Sequence, residues 1–376
     1  MGRSGLERKV RGALYGGAVG DALGSPAEGK EPNVVRERYG WITDYVEPWT
    51  GPSPIGKGDG RFSDDTHMTM ILSQIYIDAD DELDVFDFAR AIVPRIADET
   101  RWVPEHGREM PLIERLFYPE KWLLMRLRLA NCDPRLGGHG NMVNCGAAMY
   151  AAPVGIVHAG DPRAGYREAI EIFGAHQWSY GLEAAGVVAA CVAEAFKPGA
   201  TAESIVGVGV ELAHDGTRAA ILAVTERARQ YSDWREAIGP LRDAMRPFDG
   251  AAENIRDRGN GTDDWGPSRV RSIEELPIAL ALLLVTGGDF EASVLAAANY
   301  GRDNDSIGEM VGAMTGAMHG DEVIRPDWIA RLNAANRVDL DPLVAGLAAL
   351  VHRLHLRRFA AAADRAAMFD QLTASA

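Results

Sequence analysis

Apolar residues in this chain recur at the period of an α-helix and almost never at that of a strand, which narrows the possible folds more than any other feature. Met68, Ile71, Leu72 and Ile75 fall at i, i+3, i+4 and i+7, and Ile307, Met310, Val311 and Met314 repeat that spacing. Residues 183–196, 217–231, 274–285 and 291–300 are rich in Ala and Leu, which hold helical backbone at little entropic cost. Alternating β-branched runs are scarce, and residues 41–49 (WITDYVEPW) are the best strand candidate. The pattern predicts an all-α fold.

Composition excludes several classes of function. Thirty-nine Lys and Arg against 54 Asp and Glu give a net charge of −15, which argues against a nucleic acid polymer as partner. No window approaches the roughly 18 uninterrupted apolar residues that cross a bilayer. The basic opening residues lack a clean apolar core and cleavage site, so no signal peptide is expected, and Leu6 stands where a myristoylation pattern wants Ser or Thr. Cys132, Cys145 and Cys191 form no CxxC pair and cannot all pair within one chain, which predicts a reducing, cytoplasmic setting. With no linker or low-complexity block, residues 1–376 are expected to form one domain. Residues 101–140, rich in Trp, Pro and Arg, differ from their surroundings, and residues 249–267 are a polar, Gly-rich loop. Long loops on a helical scaffold are where binding groups tend to sit.

Two clusters carry the chemistry: Gly60-Arg61-Phe62-Ser63-Asp64-Asp65-Thr66 and Gly301-Arg302-Asp303-Asn304-Asp305-Ser306. Each directly precedes one of the periodic apolar helices. Either alone reads as an N-cap, since Ser and Asp accept hydrogen bonds from free N–H groups and their charge suits the helix dipole. As a pair they offer carboxylates and hydroxyls, the hard oxygen donors that Mg²⁺ and Mn²⁺ prefer. If the two helix starts converge, four carboxylates repel one another unless cations lie between them. Two divalent ions would supply that charge and could activate or position a water.

With these motifs in view, the chain resembles the ADP-ribosylglycohydrolase family, which includes the dinitrogenase-reductase-activating glycohydrolases. Residues 12–24 (GALYGGAVGDALG), followed by Ser25-Pro26-Ala27-Glu28, look like the family's opening helix and turn. Arg61–Thr66 and Gly301–Ile307 look like its two metal motifs, residues 144–155 like its glycine-rich central motif, and residues 312–317 like the small-residue helix that follows. The resemblance implies an orthogonal helical bundle with a binuclear Mg²⁺ or Mn²⁺ centre in a cleft. It also implies hydrolysis of the bond between the anomeric carbon of ADP-ribose and an acceptor. Carried over by position, Ser63, Asp64, Asp65, Asp303, Asp305 and Ser306 would ligate metal, and Glu28 matches a carboxylate beside the scissile bond; Glu28, Asp64 and Asp303 are the expected catalytic residues. The family usually has Thr where Ser63, Asn304 and Ser306 stand; Ser keeps the oxygen ligand, and Asn304 is expected to face away. Tyr150 replaces an Arg associated with the substrate region, which leaves the substrate open. Residues 101–140 exceed a minimal family member and are expected to be an insertion that could reshape the cleft.

Other residues have competing readings. Gly138-His139-Gly140-Asn141 and Gly146 could offer backbone N–H groups to a diphosphate, or form plain turns. His176 matches a position where the family has a substrate-side His, and a packed or capping histidine is the alternative. Residues 262–265 (TDDW) imitate the first metal motif, but Gly266-Pro267 breaks any helix there, so they are expected to be a substrate-side loop or a solvated turn. Cys145 is expected to be inert packing, residues 343–369 an amphipathic surface helix, and Glu28 either reactive or a surface residue beside Lys30. The expected activity is a metal-dependent hydrolase of an N- or O-linked ADP-ribosyl bond, acting on an ADP-ribosylated protein or a small ADP-ribosyl or ribosyl compound. The alternatives are an N-glycosidase of a small nucleotide- or NAD-derived metabolite and a non-catalytic binding protein, against which the four retained aspartates argue.

Overall fold

The computed structural model describes residues 3–248 and 273–374, so the whole 249–267 loop, with its 262–265 motif, lies outside the described residues. Among the described residues are sixteen α-helices and a single two-stranded antiparallel hairpin. The 183–196, 217–231, 274–285 and 291–300 expectations correspond to helices Ser179–Ala195, Asp215–Ala228, Glu275–Val285 and Phe290–Tyr300. The strand expectation needs correcting. Residues 41–49 form no strand; the Ile42 N–H and C=O are both taken by the Asn299 side chain (2.9 and 2.8 Å), and Pro48 has no N–H to donate. The hairpin instead joins Thr100–Val103 to Arg108–Pro111, with Val103 opposite Arg108 and the turn closed by Gly107 at φ +61°.

The scaffold of the cleft is a close antiparallel helix pair. Gly12, Gly16, Gly20 and Gly24 recur every fourth residue along the Gly5–Gly24 helix and meet Gly316, Gly312, Gly308 and Asn304 of the Asn304–His319 helix. A Cβ at any of these four glycines would collide with the opposing backbone. Small residues let the two helices approach to backbone contact. This contact fixes their register, so the end of the first helix lies beside the start of the second.

The Asp64–Ala79 helix is tied to the same pair. Asp21, buried on the first helix, accepts hydrogen bonds from Ser63 N–H (3.0 Å), Thr66 N–H (3.2 Å) and Thr66 Oγ1–H (2.6 Å), capping that helix from outside. The Ala-rich Ser179–Ala195 helix, almost wholly buried, packs behind them. At the C-terminus, Asp341–Ala374 buries Leu343, Val344, Leu347, Leu350, Val351 and Leu354, then runs out exposed, with Arg353 and Arg357 on Asp80.

Candidate metal centre

Ser63 and Asp303 both stand at helix N-caps, but only one of them caps. Ser63 Oγ accepts from Asp65 N–H (3.3 Å) and donates to Asp65 Oδ2 (2.9 Å). Asp303 makes no cap hydrogen bond with its side chain; instead Cys145 Sγ donates to its Oδ2 at 3.1 Å. Asn304 points away, its Nδ2 donating to Ala298 C=O at 2.7 Å, as expected of it.

A backbone zipper brings Glu28 to this helix start. Gly29 N–H donates to Arg302 C=O and Arg302 N–H to Lys30 C=O, both at 2.6 Å. Gly301, at φ +70°, lies so close to Lys30 that a side chain there would strike its carbonyl oxygen. Glu28 therefore faces Asp305, and it pairs with Lys57 rather than with Lys30, which lies over the Trp49 ring.

The result is a cavity of about 380 Å³, with Glu28, Asp64, Asp65, Asp303, Asp305 and Ser306 in its wall. Two clusters about 240 residues apart in sequence thus meet at one place. Ser63 is fully buried behind them. The charge here is poorly compensated. Burial raises Asp65 well above the usual carboxylate range, and Asp305, Asp21, Asp64 and Asp303 push it further in the same direction. Its Oδ1 is buried with no hydrogen-bond partner. Asp21 is pushed up to about 6, by burial first and then by Asp305. An orphaned carboxylate oxygen among hard oxygen donors fits a divalent cation. The ligand atoms of Glu28, Asp303 and Asp305 can lie within 4.8 Å of one another, as can those of Cys145, Glu275 and Asp303.

The rest of the wall is Phe117, Tyr118, Pro119, Glu120, Met142, Asn144, Cys145 and Met149. Much of it comes from the segment expected to be an insertion. That segment also supplies Arg115, which pairs with Asp64 and grips Glu105 through Nε (2.6 Å) and Nη2 (2.8 Å). Glu120 is 1% exposed, and neither of its oxygens makes a hydrogen bond of ordinary geometry, although the Asn144 side chain stands close enough to favour its charge. Burial, with Asp64 adding, pushes it up to about 8. Cys145 is buried and its thiol is raised well above the ordinary range, by burial and then Asp303, so it is no thiolate nucleophile.

None of the seven residues expected to touch substrate is in the cavity wall. They stand behind it. Tyr150, fully buried, bonds His176 Nδ1 through its hydroxyl (2.8 Å), and His176 Nε2 lies 3.9 Å from Glu120 Oε1. Asn141 Nδ2 holds the carbonyls of Pro119 (2.9 Å) and His176 (2.8 Å). Gly146 lies so close to Glu120 that a side chain there would displace it, and Gly138 packs on the Gln177 backbone. Gly140 makes a turn at φ +86°, and exposed His139 faces Trp178. Lys57, Glu105, Arg115, Glu120, Asn144 and Glu275 were not among the expected site residues. The unusual composition of 101–140 was the only sign of three of them.

Comparison with known proteins bears on the family and the fold. The model of the ADP-ribosylglycohydrolase family matches residues 3–361. The uncharacterized protein YegU of Escherichia coli K12 is 25% identical over 90% of this chain and 96% of its own length. An uncharacterized protein of Archaeoglobus fulgidus is 26% identical over 83% and 88%. The ADP-ribosylarginine hydrolase Tri1 of Pseudomonas putida GB-1 is 24% identical over 86% and 74%. A solved structure described as an ADP-ribosylglycohydrolase-related protein complex shares the fold, with a TM-score of 0.58 at 20% identity over 93% of this chain and 98% of that one.

Proposed function

We propose that this chain, which belongs to the ADP-ribosylglycohydrolase family, is a metal-dependent hydrolase that cleaves the bond between ribose C1 of an ADP-ribosyl group and its acceptor. The observation that best supports this reading is the convergence of Asp64, Asp65, Asp303 and Asp305 on one cavity, with Asp65 Oδ1 unpartnered. Asp64, Asp65, Asp303, Asp305 and Ser306 would hold Mg²⁺ or Mn²⁺, with Ser63 fixing Asp65 from behind. A bound divalent ion would supply the positive charge that Asp65 lacks and attract the ribose hydroxyls and water.

In the net reaction a water oxygen bonds to C1, the C1–acceptor bond breaks, and the acceptor leaves with a proton. Positive charge grows at C1 as the acceptor departs, and carboxylates already fixed in the wall stabilise it without reorganising. Glu28 is the wall carboxylate that positions the water. Glu120, protonated at neutral pH, faces the same cavity from the 101–140 segment and keeps a proton where a leaving group can receive it.

A second reading keeps the centre and changes the substrate to a small nucleotide- or NAD-derived metabolite with an N-glycosidic bond. Phe117–Glu120 favour it, because they wall one part of the cavity with a segment whose composition sets it apart. Screening ADP-ribosyl-arginine, ADP-ribosyl-serine, O-acetyl-ADP-ribose and simple ribosides in ¹⁸O-water tests both. Label is expected on the anomeric oxygen of the released sugar; label on phosphate would overturn the glycosidase assignment. Asp64→Asn and Asp303→Asn are each expected to weaken Mn²⁺ binding strongly in calorimetric titration. Unchanged affinity in both would leave the clusters as helix caps only.

A further inference from the structure

The carboxylates Glu28, Asp303 and Asp305 converge as a cation site, yet the chain already places a cation on two of them. Lys57 Nζ pairs with Glu28 Oε2, lies 2.9 Å from Asp305 Oδ2, and has Glu105 Oε1 at 3.8 Å. Its side chain is four-fifths buried, at 20% exposure.

The loop that carries Lys57 is built to keep it there. Arg61 reaches back to bond Gly56 C=O (2.6 Å) and Ser53 C=O (3.0 Å), and Gly56 N–H donates to Glu105 C=O at 2.8 Å. Gly58, at φ +136°, presses on the Pro48 backbone in a conformation no side chain could share. Glu105 is itself held by Arg115, whose other end pairs with Asp64. Lys57 and Arg115 thus form one braced pair of cations around Glu105, over the Glu28–Asp305 side of the centre. Among the described residues nothing comparable reaches Asp65, whose Oδ1 is buried without a partner among them.

We infer that Lys57 is a resident cation of this centre: its ammonium takes the place of one divalent ion between Glu28 and Asp305, and the chain binds a single divalent ion on the Asp65–Asp303 side. An ammonium and a divalent ion cannot share the same two carboxylate oxygens, because they would repel at contact distance. The inference rests on the metal-centre reading above and fixes the number of ions.

The test is Mn²⁺ stoichiometry of the metal-stripped full chain, followed by the electron paramagnetic resonance signal of free Mn²⁺. About one ion per chain is expected for the wild type and about two for Lys57→Met, with Lys57→Arg, which keeps the charge, still at one. Asp65→Asn should remove the wild-type ion, at least a tenfold weakening. Two ions in the wild type would overturn the inference and leave the metal-centre reading standing. One ion in both wild type and Lys57→Met would also overturn it, since the lysine would not be what excludes the second ion. No Mn²⁺ bound by any variant would overturn both readings. If Lys57→Met does not fold, a wild-type count of two still overturns the inference, and Lys57→Ala takes its place as the variant expected to bind two ions.

Discussion

At the scale of single residues the centre is defined by which carboxylates have a cation and which do not. Glu28 and Asp305 share Lys57, Asp64 has Arg115, and Asp65 has the Ser63 hydroxyl and other acids around it. If Glu28 positions the attacking water, Glu28→Gln keeps its shape and loses the charge. Turnover should then fall by at least about 10²-fold, with circular dichroism and Mn²⁺ content unchanged because Asp65 and Asp303 are untouched. A near-normal rate on a confirmed substrate would remove Glu28 from the chemistry. The aspartates of this site were legible in the sequence because each pair precedes an apolar helix, a position where acidic residues already mean something. Lys57, Arg115 and Glu120 were not, because a charged residue in an aperiodic loop carries no signal of which way it will point. The central glycines, His176 and Tyr150 were legible as important but not in their place. They shape the wall from behind, and only the packing of Glu120 on Gly146 and of Asn141 on Pro119 shows it.

At the scale of elements the decisive contact is the glycine seam between the Gly5–Gly24 and Asn304–His319 helices. It sets Glu28 against Asp305, so the seam is as much a part of the site as the ligands are. Gly16→Ala places a methyl against the Gly312 backbone, where neither helix can yield without shifting the register. Overpacking of this kind typically costs about 1–3 kcal/mol. A lower Tm and weaker Mn²⁺ binding are therefore expected together. Gly207→Ala is the counterpart, since a Cβ there meets nothing within 4 Å inside the Ala202–Leu212 helix. It should stabilise the chain by about 0.5–1 kcal/mol. Equal effects of the two substitutions in thermal unfolding would show that the seam is no tighter than open helix surface. The helices expected from periodicity or from Ala and Leu content were readable to within a few residues. The Thr100–Pro111 hairpin was not, because four-residue strands broken by charge offer too few alternations to count, whereas 41–49 offered alternation without a partner strand.

At the scale of the whole molecule, an acidic chain concentrates buried acids around one cleft and keeps the buried His67 and His176 neutral. His176 is fully buried, bonded to Tyr150 and 3.9 Å from Glu120, and burial brings its pKa down to about 3 from an ordinary 6.5. In the unfolded chain the imidazole takes a proton below about 6.5, whereas in the fold it does so only near 3. Its contribution to stability is therefore complete above 6.5 and is lost as pH falls through the interval between those values, at about 1.4 kcal/mol per pH unit. Glu120 has the opposite slope, since its raised pKa favours the fold as it gains a proton, but that effect remains when only His176 is changed. His176→Gln is expected to be the less stable protein at pH 7.5, for want of the Tyr150 bond and of packing. Between pH 6.5 and 5 the difference should shrink by about 2 kcal/mol, because only the wild type has an imidazole at position 176 to leave uncharged. Denaturant unfolding of both proteins across that range measures it. Parallel stability curves would mean that His176 is already charged in the fold and paired with Glu120, and the wall of the cavity would then carry a salt bridge in place of a neutral carboxyl.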